Sequence, residues 1–207
     1  MVHHAGRTCW RRFAAVLIPG IAASAALAIA MAQGALAASF FISGQRFQVT
    51  ADTLTIRGFS LYGTVDVPKK GSPVPVLVVG ARHATIRGLC QSVVVEVPVL
   101  GPQTFKLTGG NERPAKATSM FIDATSESVG QANFRGVDIG VAQGAITKGP
   151  VNPGDRDSRF FDPNGVGQQA VSATLTNVRV TAVAVSAGTF NIPGLHEQVM
   201  QGRHACF

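Results

Sequence analysis

The sequence predicts an all-β fold, a β-roll or β-sandwich of repeated strand units, behind an apolar amino-terminal signal or anchor helix. Three observations carry this reading. Beyond residue 38 apolar and polar residues alternate with period two, and no long uninterrupted helical pattern stands out. The alternation changes parity at Gly58 and again at Gly88, as a bulge or tight bend requires. Thr55-Ile56-Arg57-Gly58 recurs, thirty residues on, as Thr85-Ile86-Arg87-Gly88.

The amino-terminal stretch reads first. Arg7, Arg11 and Arg12 come without any acid and precede an apolar run from Phe13 to Ala32. Ala35-Leu36-Ala37 then supplies the small-residue exit of a secretory signal. Cleavage after Ala37 divides the chain into a leader, 1–37, and an exported domain, 38–207. The alternative is an uncleaved anchor, because a run of about 20 apolar residues suffices to cross a bilayer. Either way the domain is expected outside the cytoplasm, secreted or retained at the outer face of the cytoplasmic membrane.

Composition narrows the class. The 207 residues are 46% hydrophobic and 14% charged, against a usual charged fraction of about 25%. Disordered charged tails and coiled coils are excluded on that basis. The formal charge of +7 owes part of its excess to the leader arginines. The remaining basic residues are scattered singly apart from Lys69-Lys70, so no nucleic-acid footprint forms.

Aligned on their turns, four units emerge: Ala51 to Phe59, Ala81 to Leu89, Ala132 to Val137, and Ala170 to Val178. Gly58, Gly88, Gly136 and Asn177 share one slot, and Gly and Asn best tolerate positive φ. Further strands are expected at 40–49, 103–108 and 118–124, with a closing pair over 178–192. Residues 148–168, rich in Gly, Pro, Asn and Asp, read as a long loop. Its acids do not fit an EF-hand, because Arg159 and Phe160 occupy positions that need an oxygen ligand and a glycine. Phe160-Phe161 is its exposed apolar feature.

Cys9 falls in the leader, leaving Cys90 and Cys206 in the exported domain. Two cysteines in an oxidising compartment favour a disulfide, over a nucleophile or a metal ligand. His83, His196 and His204 are poorly spaced for zinc, and neither CxxC nor HExxH occurs. No metal and no cofactor are expected.

Ala32 to Phe40, Leu89-Cys90-Gln91-Ser92-Val93, Asp138 to Ala142, Thr147-Lys148-Gly149-Pro150, Ser172 to Val178 and His204-Ala205-Cys206-Phe207 form a set of specific strings. Together they resemble a family of exported proteins from filamentous actinobacteria, often labelled cholesterol esterase. The resemblance spans nearly the whole chain and implies a Cys90–Cys206 pair. The esterase label implies a nucleophile, yet G-x-S-x-G is absent. The nearest string is Ala184-Val185-Ser186-Ala187-Gly188, flanked by β-forming residues where an α/β-hydrolase turns into a helix.

The expected function is therefore that of a non-catalytic cell-envelope protein binding an apolar ligand or a membrane or envelope partner. Phe59, Leu61 and Phe134 are its ligand-contact candidates. One alternative is a lipid ester hydrolase acting through Ser186 and His196, and another is a structural surface component.

Overall fold

The structure, a computed structural model, describes residues 45–68, 72–97 and 99–207 together with Trp10 and Leu17. The expected leader and its cleavage site lie outside the described residues, apart from those two. Among the described residues no helix is long and apolar enough to cross a membrane.

Residues Ser43–Phe207 form one unit, and it is all-β. Its strands are β1 (Phe47–Asp66), β2 (Val74–Arg87), β3 (Leu89–Val97), β4 (Gly101–Gly109), β5 (Ala115–Ser128), β6 (Gln131–Arg135), β7 (Asp138–Ala142), β8 (Val166–Ser186), β9 (Thr189–Asn191) and β10 (His196–Gln201). A single-turn helix, α1 (Pro153–Arg156), interrupts the connection from β7 to β8. All strands belong to one antiparallel sheet. β1 pairs with β2, β2 with β5, β5 with β8, and β8 again with β1, so the hydrogen-bonded circuit closes on itself. The architecture is thus a single coiled, closed sheet, where the sequence suggests a roll or two stacked sheets.

Closure over strands of 20 and 21 residues, β1 and β8, needs repeated bending, since typical strands have only about 5–6 residues. The bends fall where the ladders skip a pair. Between Arg57↔His83 and Phe59↔Ala81 the β1–β2 register passes over Gly58 and Arg82. Between Ala51↔Val178 and Thr53↔Thr176 the β1–β8 register passes over Asp52 and Asn177. Between Ala81↔Met120 and His83↔Thr118, β2–β5 passes over Arg82 and Ser119. Gly58, Gly88, Ser119, Gly136, Asn177 and Gly194 all have positive φ. Four of these occupy the slot shared by the repeated units. Such residues tighten the local right-handed twist and turn the strand.

Each bend also resets which side chains face inward. In β1 the core residues are Ala51, Leu54, Ile56 and Phe59, steps of two broken by steps of three at the bends. In β8 they are Ala170, Ala173, Leu175, Val178, Val180 and Ala182, with the same breaks. Large and small residues meet across the strands: Ile56 lies between Ala84 and Ala173, and Phe59 between Ala81 and Ala170. The alanines let the circuit close tightly around Ile56, which is fully buried. Truncating such a buried side chain typically costs about 2–5 kcal/mol.

The chain end is laid over the β1–β3–β4 region. His204 N donates to Thr104 Oγ1, Cys206 N to Ser92 Oγ, and Phe207 N to Gln48 Oε1. Cys206 is disulfide-bonded to Cys90 on β3 across a sequence separation of 116. On the loop-entropy view, constraining so long a loop contributes about 4–5 kcal/mol.

Gly88 has φ +63, and a Cβ there would fall on the Asp52 carboxylate; Gly101 has φ +73 with nothing within 4 Å of the corresponding point. Left-handed strain alone costs about 1–2 kcal/mol. Gly101→Ala should lose that amount in chemical denaturation, and Gly88→Ala should lose distinctly more. Equal losses would show that the bend at Gly88 tolerates a side chain.

Candidate functional site

Beyond Gly58 the even-numbered residues of β1, Ser60, Tyr62, Thr64 and Asp66, point away from the main core. In a half-exposed sheet this face would be solvated. Here residues 143–165 are folded across it as a strap. Tyr62, Val76, Val78, Phe121, Ile146 and Val151 form a second buried cluster beneath the strap, with Phe161 packed against it. Phe161 meets Tyr62 edge-on at 6.0 Å between ring centroids. Phe160 and Phe161 are both half-buried, so the expected exposed aromatic pair is instead part of the strap's attachment. An amphipathic face on β1 needs a partner, and these rings supply it.

Polar contacts fix the amino-terminal part of the strap. Gln169, buried on β8, accepts from Thr147 N and Lys148 N at 2.7 and 2.8 Å and donates to Asp138. Lys148 Nζ lies 2.7 Å from the same Asp138 carboxylate. These two partners hold the exposed Asp138 carboxyl below its usual range. Ser60 Oγ donates to Pro150 O. Gly149 sits against the Phe59 and Ser60 backbone and Gly80 against Pro150, approaches that leave no room for a Cβ.

At the strap's far side three carboxylates gather around a buried tyrosine. Tyr62, 1% exposed, donates to Asp155 Oδ2 at 2.7 Å and accepts from Asn152 N at 3.0 Å. Burial, then the hydrogen bond to Asp155, raises the Tyr62 phenol far above its ordinary value. Asp123 on β5 is pushed up to about 7, first by burial and then by the charges of Asp66 and Asp155. Burial and Asp155 also raise Asp66. Asp123 Oδ1 has no hydrogen-bond partner among the described residues. The group can hold a proton near neutral pH. Among the described residues no set of three or more His, Cys, Asp or Glu is placed to hold a metal ion.

A second feature is apolar. Among the described residues β6 and β7 each pair with β8 alone, and no described strand pairs with the other edge of this ribbon. Every residue of β6 is exposed. Phe134 and Val137 project there, with Ile139 (74% exposed), and Val166 and Val171 stand on the neighbouring β8. An unpaired edge bearing large apolar residues is a ready template for another chain.

The structure separates the residues singled out from sequence. Ser186 ends β8 opposite Phe121, whereas His196 begins β10 opposite Thr108. The β4–β5 connection lies between those positions, and no hydrogen bond links the two side chains. Phe59 belongs to the main core, with Leu61 partly buried against it. Phe134 is exposed and packs on Phe59 at 5.3 Å between centroids. A groove of about 170 Å³ lies elsewhere, between residues 111–113 and Pro193-Gly194, smaller than the roughly 300–1,000 Å³ of ordinary small-molecule sites. Sequence reasoning misses the Tyr62–Asp155–Asp123–Asp66 group. Its signal is the polar even-numbered run of β1 after Gly58, which marks a face needing cover.

The raised Asp123 pKa fixes a sign for pH dependence. An unfolded aspartate titrates near 3.8. The folded form therefore binds the proton more tightly, and the associated stability is complete below about pH 4 and lost as pH rises through about 7. Thermal melts from pH 4 to 8 should show stability falling over this window, and Asp123→Asn should flatten the fall. A variant with an unchanged pH profile would place the titration elsewhere.

No curated protein and no solved structure matches this chain. A family model described as a family of unknown function, DUF6230, matches residues 43–207, the span of the closed sheet, its strap and the disulfide-tied terminus, and the chain belongs to that family.

Proposed function

We propose that this domain is a non-catalytic, exported binding module of the cell envelope, which takes an apolar partner against the β6–β7 edge. The observation that carries this reading is the ribbon whose outer edge no described strand pairs, with Phe134, Val137 and Ile139 exposed along it. An extended peptide or a second sheet edge can add a strand there, with main-chain hydrogen bonds giving affinity and the apolar side chains giving selectivity. Export is supported by the leader pattern and by the Cys90–Cys206 disulfide, which an oxidising compartment sustains. The interior argues for binding on the outside of the sheet, because Phe59, Ile56 and the core alanines fill it.

A second reading, ester hydrolysis of a lipid, follows from the label carried by the actinobacterial proteins the sequence resembles. It needs a nucleophile, an adjacent base and oxyanion donors, and Ser186 and His196 lie on different parts of the sheet. The purified exported protein should therefore turn over cholesteryl and nitrophenyl esters no faster than a Ser186→Ala control. A photo-crosslinking residue at Ile139 should capture an envelope component that one at Glu112 does not, and Phe134→Asp should abolish the capture while leaving the melting transition intact. Hydrolysis abolished by Ser186→Ala would restore the esterase reading. Equal labelling from both positions would remove the edge as the binding surface.

A further inference from the structure

We propose that the outward face of the sheet, over the stretch of β1 between the bends at Asp52 and Gly58, binds a polymer whose repeating units are joined by phosphate. On this stretch the inward side chains are buried: Leu54 and Ile56 on β1, Ala84 and Ile86 on β2, Ala173 and Leu175 on β8. Their neighbours along each strand therefore point outward. The ladders set those outward residues in rows. His83, Arg57, Ser172 and Arg135 lie side by side on β2, β1, β8 and β6. Lys116, Thr85, Thr55 and Thr174 form the next row, on β5, β2, β1 and β8. Arg87, Thr53 and Thr176 form a third. Basic residues that stand singly in the sequence are thus gathered by register. Beyond Gly58 the strap covers the outward face, whereas here its cations are exposed.

The charge on this face is one-sided. Arg57, Arg87, Lys116 and Arg135 are all exposed. Among the described residues the ion pairs are Lys148–Asp138 and Arg203–Glu96, and they involve none of these four. The rows hold no acid; Asp52 stands at their end, at a position the β1–β8 ladder passes over. Arg57 and Arg135 flank Ser172 at two strand spacings, about 10 Å. Cations spread in this way over several strands do not converge on one small anion. They suit charge repeated along a chain, and at such spacings their fields overlap within about one Debye length. A guanidinium presents a donor fork that matches phosphate oxygens. The half-buried hydroxyls of Thr53, Thr55, Thr85 and Thr174 lie between the cations and can donate to phosphate or to the polyol that links it.

The same rows disfavour other anions. They contain no Phe, Tyr or Trp on which a nucleic-acid base could stack, and the single tyrosine, Tyr62, is buried elsewhere. None of the exposed large apolar residues stands in them, so a bilayer would gain no apolar insertion. The inference goes beyond the apolar β6–β7 edge. Phe134 lies on the other side of β6 from Arg135, packed on Phe59, and takes no part in the basic face.

The test measures binding of fluorescently labelled poly(glycerol phosphate) to the purified exported protein by anisotropy, starting at low salt. Affinity should fall as salt rises. Arg57→Gln combined with Arg135→Gln should weaken binding about fivefold or more, and so should Arg87→Gln combined with Lys116→Gln. Each pair is exposed and should keep the melting transition of the parent. Arg156→Gln combined with Arg159→Gln removes the same charge from exposed positions of the strap and should leave the affinity unchanged. An equal loss from the strap pair would overturn the proposal, since net charge alone would then hold the polymer. Retained affinity in either folded face pair would overturn it too, as would a lack of binding at low salt. Equal or tighter binding of duplex DNA, or of phosphatidylglycerol vesicles, through the same arginines would replace the polymer with a nucleic acid or a membrane.

Discussion

The pairing of β1 with β8 is the constraint that the rest of the molecule obeys. From Thr53 to Tyr62, β1 is bonded to β2 on one side and to β8 on the other, apart from the skipped position at Gly58. A sheet closed with so few strands has a narrow interior, and that forces small residues opposite large ones. Ala81, Ala84, Ala170 and Ala173 are the consequence, each directly beside Phe59 or Ile56. Closure also demands that long strands turn without breaking their ladders. The left-handed residues at Gly58, Gly88, Ser119, Gly136 and Asn177 do this one skipped pair at a time. A side chain at Gly88 would meet Asp52 on the neighbouring strand, so bending and pairing cannot be adjusted independently.

A filled interior moves function outward. On one outer face the strap covers Ser60, Tyr62 and Val78, and three carboxylates collect where it crosses Tyr62. On another, the ribbon β6–β7 exposes the apolar side chains Phe134, Val137 and Ile139. The two faces contrast physically. Under the strap, burial raises carboxyl pKa values and makes stability sensitive to pH. At the ribbon, no described strand pairs with the outer edge, and its apolar side chains are exposed. The Asp138–Lys148–Gln169 contacts connect the two, since Asp138 begins β7 and Lys148 begins the strap's descent onto the sheet.

Much of the fold is legible in the sequence, for a local reason. A bend that changes side-chain parity leaves its mark within a few residues, so Gly58, Gly88, Gly136 and Asn177 align without knowledge of any partner strand. The strand positions are legible in the same way, and the Cys90–Cys206 pair from the count of two cysteines in the exported domain. Closure is not, because the Leu54↔Leu175 pairing joins residues far apart in sequence, and periodicity says nothing about which strands meet. For that reason the sequence points only as far as a roll or sandwich. Phe59 reads as a ligand contact because an inward apolar residue looks the same in sequence whether it lines a cavity or fills a core. Phe161 reads as exposed because its partner, Tyr62, is ninety-nine residues earlier in the chain. The carboxylate group likewise draws on β1, β5 and α1, and only the folded strap unites them.

Closure is tested most directly by amide hydrogen exchange along β1. In an antiparallel ladder successive amides point to opposite neighbours, so a strand paired on both sides protects every one of them. The closed sheet predicts uniformly slow exchange for Thr53, Leu54, Thr55, Ile56 and Arg57, all of which pair with both β2 and β8. Alternating fast and slow exchange over these five residues would show β1 to be an open edge and would contradict the closed architecture.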